Sequence, residues 1–100
     1  MYVSVAPSTD ELNVISAGAV VVDAYLLTEV KGSAANVAIN LVKKDGSSAV
    51  ALLAATTPTG DNSVNKAAGA ALGTRLAEDR YFTSTGTKTG LKAKLVVEYI

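Results

Sequence analysis

The stretch NVAINLVKKDGSSAVALLA (residues 36–54) decides the predicted fold. On both sides of KKDGSS, every second residue points to one face of an extended chain, and that face is apolar. This alternation is the period of a strand with one buried face. The pair Asp45–Gly46 lies between the two alternating runs. Because Asp-Gly tolerates the positive φ of a tight hairpin turn, the stretch predicts a β-hairpin.

Further strands are predicted on both sides of this hairpin. The sequence favours strands at Tyr2–Val5 and at residues 12–16, 19–30, 73–77 and 91–100. Pro7 and the STDE segment (8–11) are predicted to form the turn between the first two strands. EDRYF (78–82) is expected to be a turn that brings Tyr81 and Phe82 into the core. TSTGTKTG (83–90) is expected to be a polar hairpin loop before the last strand.

Residues 62–72 are ambiguous between a helix and a loop. Val64, Ala68 and Leu72 have helical spacing, and Asn62 is a residue type that caps helices. Against a helix, Gly69 and the following Gly73 each cost about 1 kcal/mol relative to alanine. Both alternatives stay open at this point.

The pattern as a whole predicts one all-β domain over residues 1–100. One hundred residues is the length of a single domain. We count about seven short strands, turns rich in Gly and Pro, and at most one short helix. These features indicate a small antiparallel β-sandwich or jelly roll.

Composition argues against an enzyme. The chain contains no cysteine and no histidine, so disulfides, thiolate metal sites and the commonest general base are excluded. No phosphate-loop, Ser-x-x-Lys or Gly-x-Ser-x-Gly motif is present. The acidic pairs Asp10–Glu11 and Glu78–Asp79 are expected to be surface charges, because a hard-ion site needs several convergent oxygens. We therefore expect no catalysis, no metal and no cofactor.

Charge argues against two classes of partner. Nine Lys and Arg balance nine Asp and Glu, so the formal net charge is zero. A neutral surface has little affinity for nucleic acid or for anionic membranes. The most apolar stretch, AGAVVVDAYLLTEV, is interrupted by Asp23 and Glu29 and is too short to span a bilayer. We expect no nucleic-acid partner and no membrane partner.

Two predicted strands have large apolar side chains on both faces. The strand at residues 19–30 is apolar throughout most of its length, and Val96 and Ile100 interrupt the polar face of the last strand. A sandwich buries only one face of each sheet, and a contiguous exposed apolar patch marks an interaction surface. We therefore predict an interface of a homo-oligomer, or with another partner, that contains Val21, Tyr25, Leu27, Val96, Tyr99 and Ile100.

The segment LAEDRYFTSTGTKTGLKAKLVVEYI (76–100) has a leucine, an acidic-Arg-Tyr-Phe turn, a polar Thr/Gly loop and a strand that ends in Val-Glu-Tyr. It resembles the C-terminal part of small β-sandwich virion proteins of tailed bacteriophages, which include capsid decoration (cement) and head-fibre proteins. NVAINLVKKDGS (36–47) shows a weaker likeness. The resemblance implies a non-enzymatic structural protein on the capsid surface, assembled in the host cytoplasm. It also implies contact with the major capsid protein or another virion protein, and a symmetric oligomer, often a trimer.

A small ligand-binding module is the alternative interpretation. β-Sandwiches commonly present binding sites on their loops, and the loop TGDNSVNKAAGAAL (59–72) is long enough to form one. Its ligand would be a carbohydrate or a peptide.

Overall fold

The computed structural model describes residues 1–5 and 14–100, which form eight strands and no helix. The strands are β1 (Tyr2–Val5), β2 (Val14–Ile15), β3 (Val21–Val30), β4 (Ala35–Val42), β5 (Val50–Thr56), β6 (Ser63–Asn65), β7 (Arg80–Thr87) and β8 (Lys92–Tyr99). The all-β prediction is confirmed, with eight strands in place of about seven. No helix long and apolar enough to cross a membrane occurs in the described ranges.

The strands form two four-stranded antiparallel sheets. The first sheet has the order β1-β8-β3-β6, and the second has the order β2-β7-β4-β5. Pairing joins β1 to β8, β2 to β7, β3 to β6 and β4 to β5. The same four pairs would form if the whole chain were one long antiparallel hairpin. Folding of this hairpin over on itself adds the β3–β8 and β4–β7 pairs, which complete the two sheets. The result is the jelly-roll form of the sandwich, one of the two forms predicted.

The apolar core lies between the two sheets. Val3, Leu26 and Leu95 of the first sheet and Ile39 and Phe82 of the second are fully buried. Burial of one such side chain contributes about 1.5–3 kcal/mol relative to its exposure. Phe82 therefore reaches the core as predicted, although it belongs to β7 and not to a turn. The neighbouring Tyr81 points to the other face of the sheet and is half-buried.

The β4–β5 hairpin is confirmed, but its turn is wider than predicted. The N–H of Gly46 donates to the carbonyl oxygen of Lys43 at 2.8 Å, which closes a four-residue turn. Gly46 has φ +86°, and Asp45 is not among the residues with positive φ. Oδ1 of Asp45 instead accepts hydrogen bonds from the backbone N–H of Ser47 at 2.9 Å and from its hydroxyl at 2.6 Å. Asp-Gly is thus part of a seven-residue loop and is not a two-residue turn.

A β-bulge changes which side chains of β3 face the core. The register between β3 and β8 shifts between Val21 and Asp23. Val21 is fully buried, whereas after the bulge Leu26 faces the core and Tyr25 and Leu27 face outward. The expectation that Val21 shares a face with Tyr25 and Leu27 is wrong, because one extra residue reverses the alternation.

Two other segments differ from their predictions. Residues 73–77 form a turn and a single bridge between Val20 and Arg75, not a strand. The positive φ of +79° at Gly73 interrupts an extended backbone there. Residues 83–90 are not a hairpin loop, because β7 continues to Thr87 and β8 belongs to the other sheet. Threonine is a good strand former, which explains the extension.

Residues 62–72 are neither a helix nor a simple loop. They contain β6, and the residues after it lie along the free edge of β5. The N–H of Ala54 donates to the carbonyl oxygen of Ala67 at 2.8 Å, and the N–H of Ala71 donates to that of Ala51 at 2.9 Å. This second line of hydrogen bonds protects an edge strand that would otherwise be open to pairing with another chain.

The predicted turn at 8–11, its acidic pair Asp10–Glu11 and the start of the predicted strand at 12–16 lie outside the described residues. The remainder of that strand is observed as β2.

Candidate interaction surface

The outer face of the first sheet, which points away from the core, has an apolar centre. Val96 of β8 is directly opposite Tyr2 of β1 on one side and Tyr25 of β3 on the other. Side chains in such positions are about 5 Å apart, so the two tyrosines flank Val96. Val96 is only 8% exposed although it faces outward, whereas Tyr2 is 69% exposed.

The next row of the same face continues the apolar surface. Leu27 is opposite Lys94 of β8 and Val64 of β6. Leu27 is 41% exposed and Val64 is 59% exposed. We call the five outward apolar residues of these two rows the outer patch: Tyr2, Tyr25, Leu27, Val64 and Val96.

The structure brings together three of the six predicted interface residues, which are Tyr25, Leu27 and Val96. Tyr99 and Ile100 are exposed at one end of the same sheet, where Ile100 exchanges two backbone hydrogen bonds of 2.9 Å with Val20. The sixth residue, Val21, is in the core. Whether these residues form an interface stays a prediction.

Sequence reasoning missed two members of the outer patch. Tyr2 alternates with the buried Val3 and Val5, and this alternation was the available sign that Tyr2 faces outward. Val64 is in a three-residue strand within the ambiguous segment. A strand of that length has too little periodicity to be recognised from sequence.

Charged residues flank the outer patch at both ends. At one end, Glu98 of β8 is opposite Asp23 of β3. Nζ of Lys66 is 2.8 Å from Oδ2 of Asp23, and this hydrogen bond lowers the pKa of Asp23 and raises the pKa of Lys66. At the other end are the exposed lysines Lys92 and Lys94. The face therefore has an acidic end and a basic end.

A cavity of about 550 Å³ lies at the basic end. Its described lining comes from β1, β3, β8 and the adjoining Leu91 and Asn62, with no residue of the second sheet. Val5 and Leu91 of this lining also belong to the core, so the cavity borders the core at that end of the first sheet. Thr28 lines it and is 1% exposed, and its Oγ1 has no hydrogen-bond partner among the described residues. The volume falls in the range of small-ligand sites, and no aromatic residue is among the described lining residues.

The remaining acidic residues that sequence analysis considered are engaged in structural contacts. Oε1 of Glu78 is 3.4 Å from Nζ of Lys43 and 3.6 Å from a guanidinium nitrogen of Arg80. Oδ1 of Asp79 accepts a 2.8 Å hydrogen bond from the N–H of Ala17. Within the described residues, no group of three or more His, Cys, Asp or Glu could hold a metal ion.

Comparison with known proteins does not extend this description, because no family model, curated protein or solved structure matches the chain.

Proposed function

We propose that the protein is a non-enzymatic structural protein of a phage virion, a capsid decoration (cement) protein that stabilises the shell through oligomeric contacts. In this proposal the protein lies on the capsid surface of a virion that is assembled in the host cytoplasm. The observation that carries the proposal is the outer patch, an apolar surface on the side of a small sandwich opposite its core. The resemblance of residues 76–100 to phage virion proteins supports it.

The jelly-roll topology is compatible with this role and does not establish it. Viral capsid proteins, lectins and cupins all use jelly rolls, and a fold hosts many unrelated functions. What favours a structural role is the surface. The outer patch suits permanent contact with protein, since exposed apolar patches of this kind mark interaction sites.

A cement protein acts by bridging neighbouring capsomers. A single copy that binds one capsomer adds little, whereas joined copies hold two capsomers at once and gain avidity. In this proposal the outer patch joins the copies, and other surfaces contact the major capsid protein.

The test uses expanded capsids that lack the protein. We expect the purified protein to sediment with the shells and to raise their melting temperature. Leu27→Asp, which places a charge in the outer patch, should reduce this stabilisation strongly. Lys44→Asp, in the exposed β4–β5 loop, is the matched control and should not. Shells that neither bind nor gain stability from the wild-type protein would refute the role.

The second candidate function is a ligand-binding module, and the cavity beside Thr28 favours it. A peptide fits this cavity better than a carbohydrate, because sugar sites commonly use aromatic platforms and the described lining contains no aromatic residue. Titration of a peptide library, followed by amide NMR shifts, should perturb Leu27, Thr28 and Lys94 together. Saturable binding that moves only other residues would contradict this function for the cavity.

A further inference from the structure

We propose that a second copy of this chain covers the outer patch, face to face across a two-fold axis, with Lys94 of each copy opposite Glu98 of the other. The inference rests on the proposed function only in using the same surface, and it requires no capsid. It names the partner of the outer patch and the register of the contact.

The charges along β8 are placed symmetrically about Val96. The outward residues of this strand are Lys92, Lys94, Val96 and Glu98. Lys94 and Glu98 are two residues before and two residues after Val96, about 7 Å along the strand in each direction. A two-fold axis that lies in the contact plane, perpendicular to β8 and above Val96, places Lys94 of each copy over Glu98 of the other. Each lysine then meets a glutamate, and the contact forms twice.

Both charges are available for a contact between two chains. Lys94 and Glu98 are exposed, and neither forms an ion pair with another described residue. By contrast, the neighbouring Asp23 is already paired with Lys66 within the chain. Lys66 is close enough to Glu98 for Glu98 to contribute to its raised pKa, but Lys66 forms its hydrogen bond with Asp23. The carboxylate of Glu98 and the ammonium group of Lys94 therefore remain available to a second chain.

The whole outer face of the first sheet is self-complementary in charge. Asp23, Glu98 and Lys66 give the acidic end two carboxylates and one ammonium group. Glu29 and the two lysines of β8 give the basic end one carboxylate and two ammonium groups. Nucleic acid or a membrane would select one sign of charge over the face. A two-fold copy places acidic on basic at both ends, as an isologous interface requires.

The available area is that of a weak contact. The strands of this sheet, in the order β1-β8-β3-β6, are 4, 8, 10 and 3 residues long. At about 3.3 Å per residue and about 4.8 Å between strands they give a face of about 400 Å². Two such faces would bury about 800 Å² in total, which is in the range of weak or transient interfaces. The contact differs from the trimer that the resemblance implies, because a closed ring of three needs a heterologous interface.

Charge reversal tests the register. In Lys94→Glu, both charged residues beside Val96 are glutamates. In Glu98→Lys, both are lysines. Each single variant should self-associate at least about tenfold more weakly, since like charges then face each other. The double variant Lys94→Glu/Glu98→Lys should recover self-association. An equimolar mixture of the two single variants should form a mixed dimer. Lys44→Glu is the control for added charge.

Sedimentation equilibrium over a concentration series at low salt measures all six samples, including the wild type, with circular dichroism to show that each is folded. A wild-type monomer at every concentration overturns the inference, as does a double variant no better than the singles. The capsid assay separates this failure from that of the proposed function. Monomers that stabilise shells would overturn the pairing, and with it the joining of copies through the outer patch, but would leave the capsid role itself intact. Dimers that show the expected charge dependence but do not bind capsids would support the pairing and overturn the capsid role.

Discussion

Lys66 and Asp23 form an ion pair that joins the residue after β6 to β3, with Nζ and Oδ2 2.8 Å apart. The hydrogen bond from Lys66 is the main cause of the lowered pKa of Asp23. The same bond raises the pKa of Lys66. Because both groups are on the surface, salt will weaken their attraction.

This pair gives stability a specific dependence on pH. The pKa of Asp23 is lower in the folded chain than its ordinary 3.8, so the pair stabilises the fold above that pH and the contribution is lost as pH falls through the folded-state pKa. The raised pKa of Lys66 gives the corresponding loss as pH rises through a value above 10.5. Lys66→Met should return the pKa of Asp23 toward 3.8 and reduce the acid sensitivity of the melting temperature. Carboxyl-carbon NMR titration measures the first effect, with Lys44→Met as control; an unchanged Asp23 pKa would contradict the pairing.

The second prediction concerns the left-handed backbone at Gly46. Gly46 has φ +86°, whereas Gly60 has no positive φ, and a Cβ at either position would meet no atom within 4 Å. Gly46→Val should therefore destabilise by about 1–2 kcal/mol, the cost of a left-handed conformation for an L-residue. Gly60→Val should have a much smaller effect. Urea unfolding measures both, and equal losses would show that φ is not the cause.

These examples show which parts of the fold could be predicted from the sequence. The hairpin of β4 and β5 was predictable because its alternation is regular and its turn contains Gly46. The position of Val21 was not, since the bulge after it follows from pairing with β8, and VVVD has no local feature that marks a bulge. The C-terminal end of β7 could not be predicted, because its last residues are polar and exposed and Gly86 favours a turn.

The outer patch was predictable only in part, for the same physical reason. Tyr25, Leu27 and Val96 belong to long strands in which two apolar faces are visible from sequence. Val64 joins them only through the pairing of β6 with β3, which is a long-range contact. Nor could the cavity beside Thr28 be foreseen, because it depends on how three strands and two loops meet.

The third prediction concerns the buried hydroxyl of Thr28. Within the part of the chain that the structure describes, its Oγ1 has no hydrogen-bond partner, and the side chain is 1% exposed. Thr28→Val keeps the shape and removes the unpaired polar atom, so we expect a gain of about 1 kcal/mol in unfolding free energy. Ser63→Ala is the control in which a hydroxyl with a partner is removed, because the Ser63 hydroxyl donates a 2.6 Å hydrogen bond to the carbonyl oxygen of Gly60. That variant should lose about 1 kcal/mol. A loss for Thr28→Val would mean that its hydroxyl has a partner in solution.

The last prediction compares two neighbours on β8 that point to opposite faces. Val97 is 1% exposed and faces the core, whereas Val96 faces outward between two tyrosines. Val97→Asp buries a carboxylate among apolar side chains and should cost more than about 4 kcal/mol, a large share of the stability of a domain of this size. Val96→Asp can keep its carboxylate near water if Tyr2 and Tyr25 move apart, so the loss should be about 1–2 kcal/mol.

The same substitution acts differently on self-association. At the proposed two-fold axis, the aspartates of two Val96→Asp chains would face each other, so this variant should be a folded monomer where the wild type is a dimer. Circular dichroism with urea reports folding, and sedimentation reports assembly. If Val96→Asp unfolds as readily as Val97→Asp, Val96 contributes to the core and not to a surface. If it folds and still dimerises, the axis does not cross Val96.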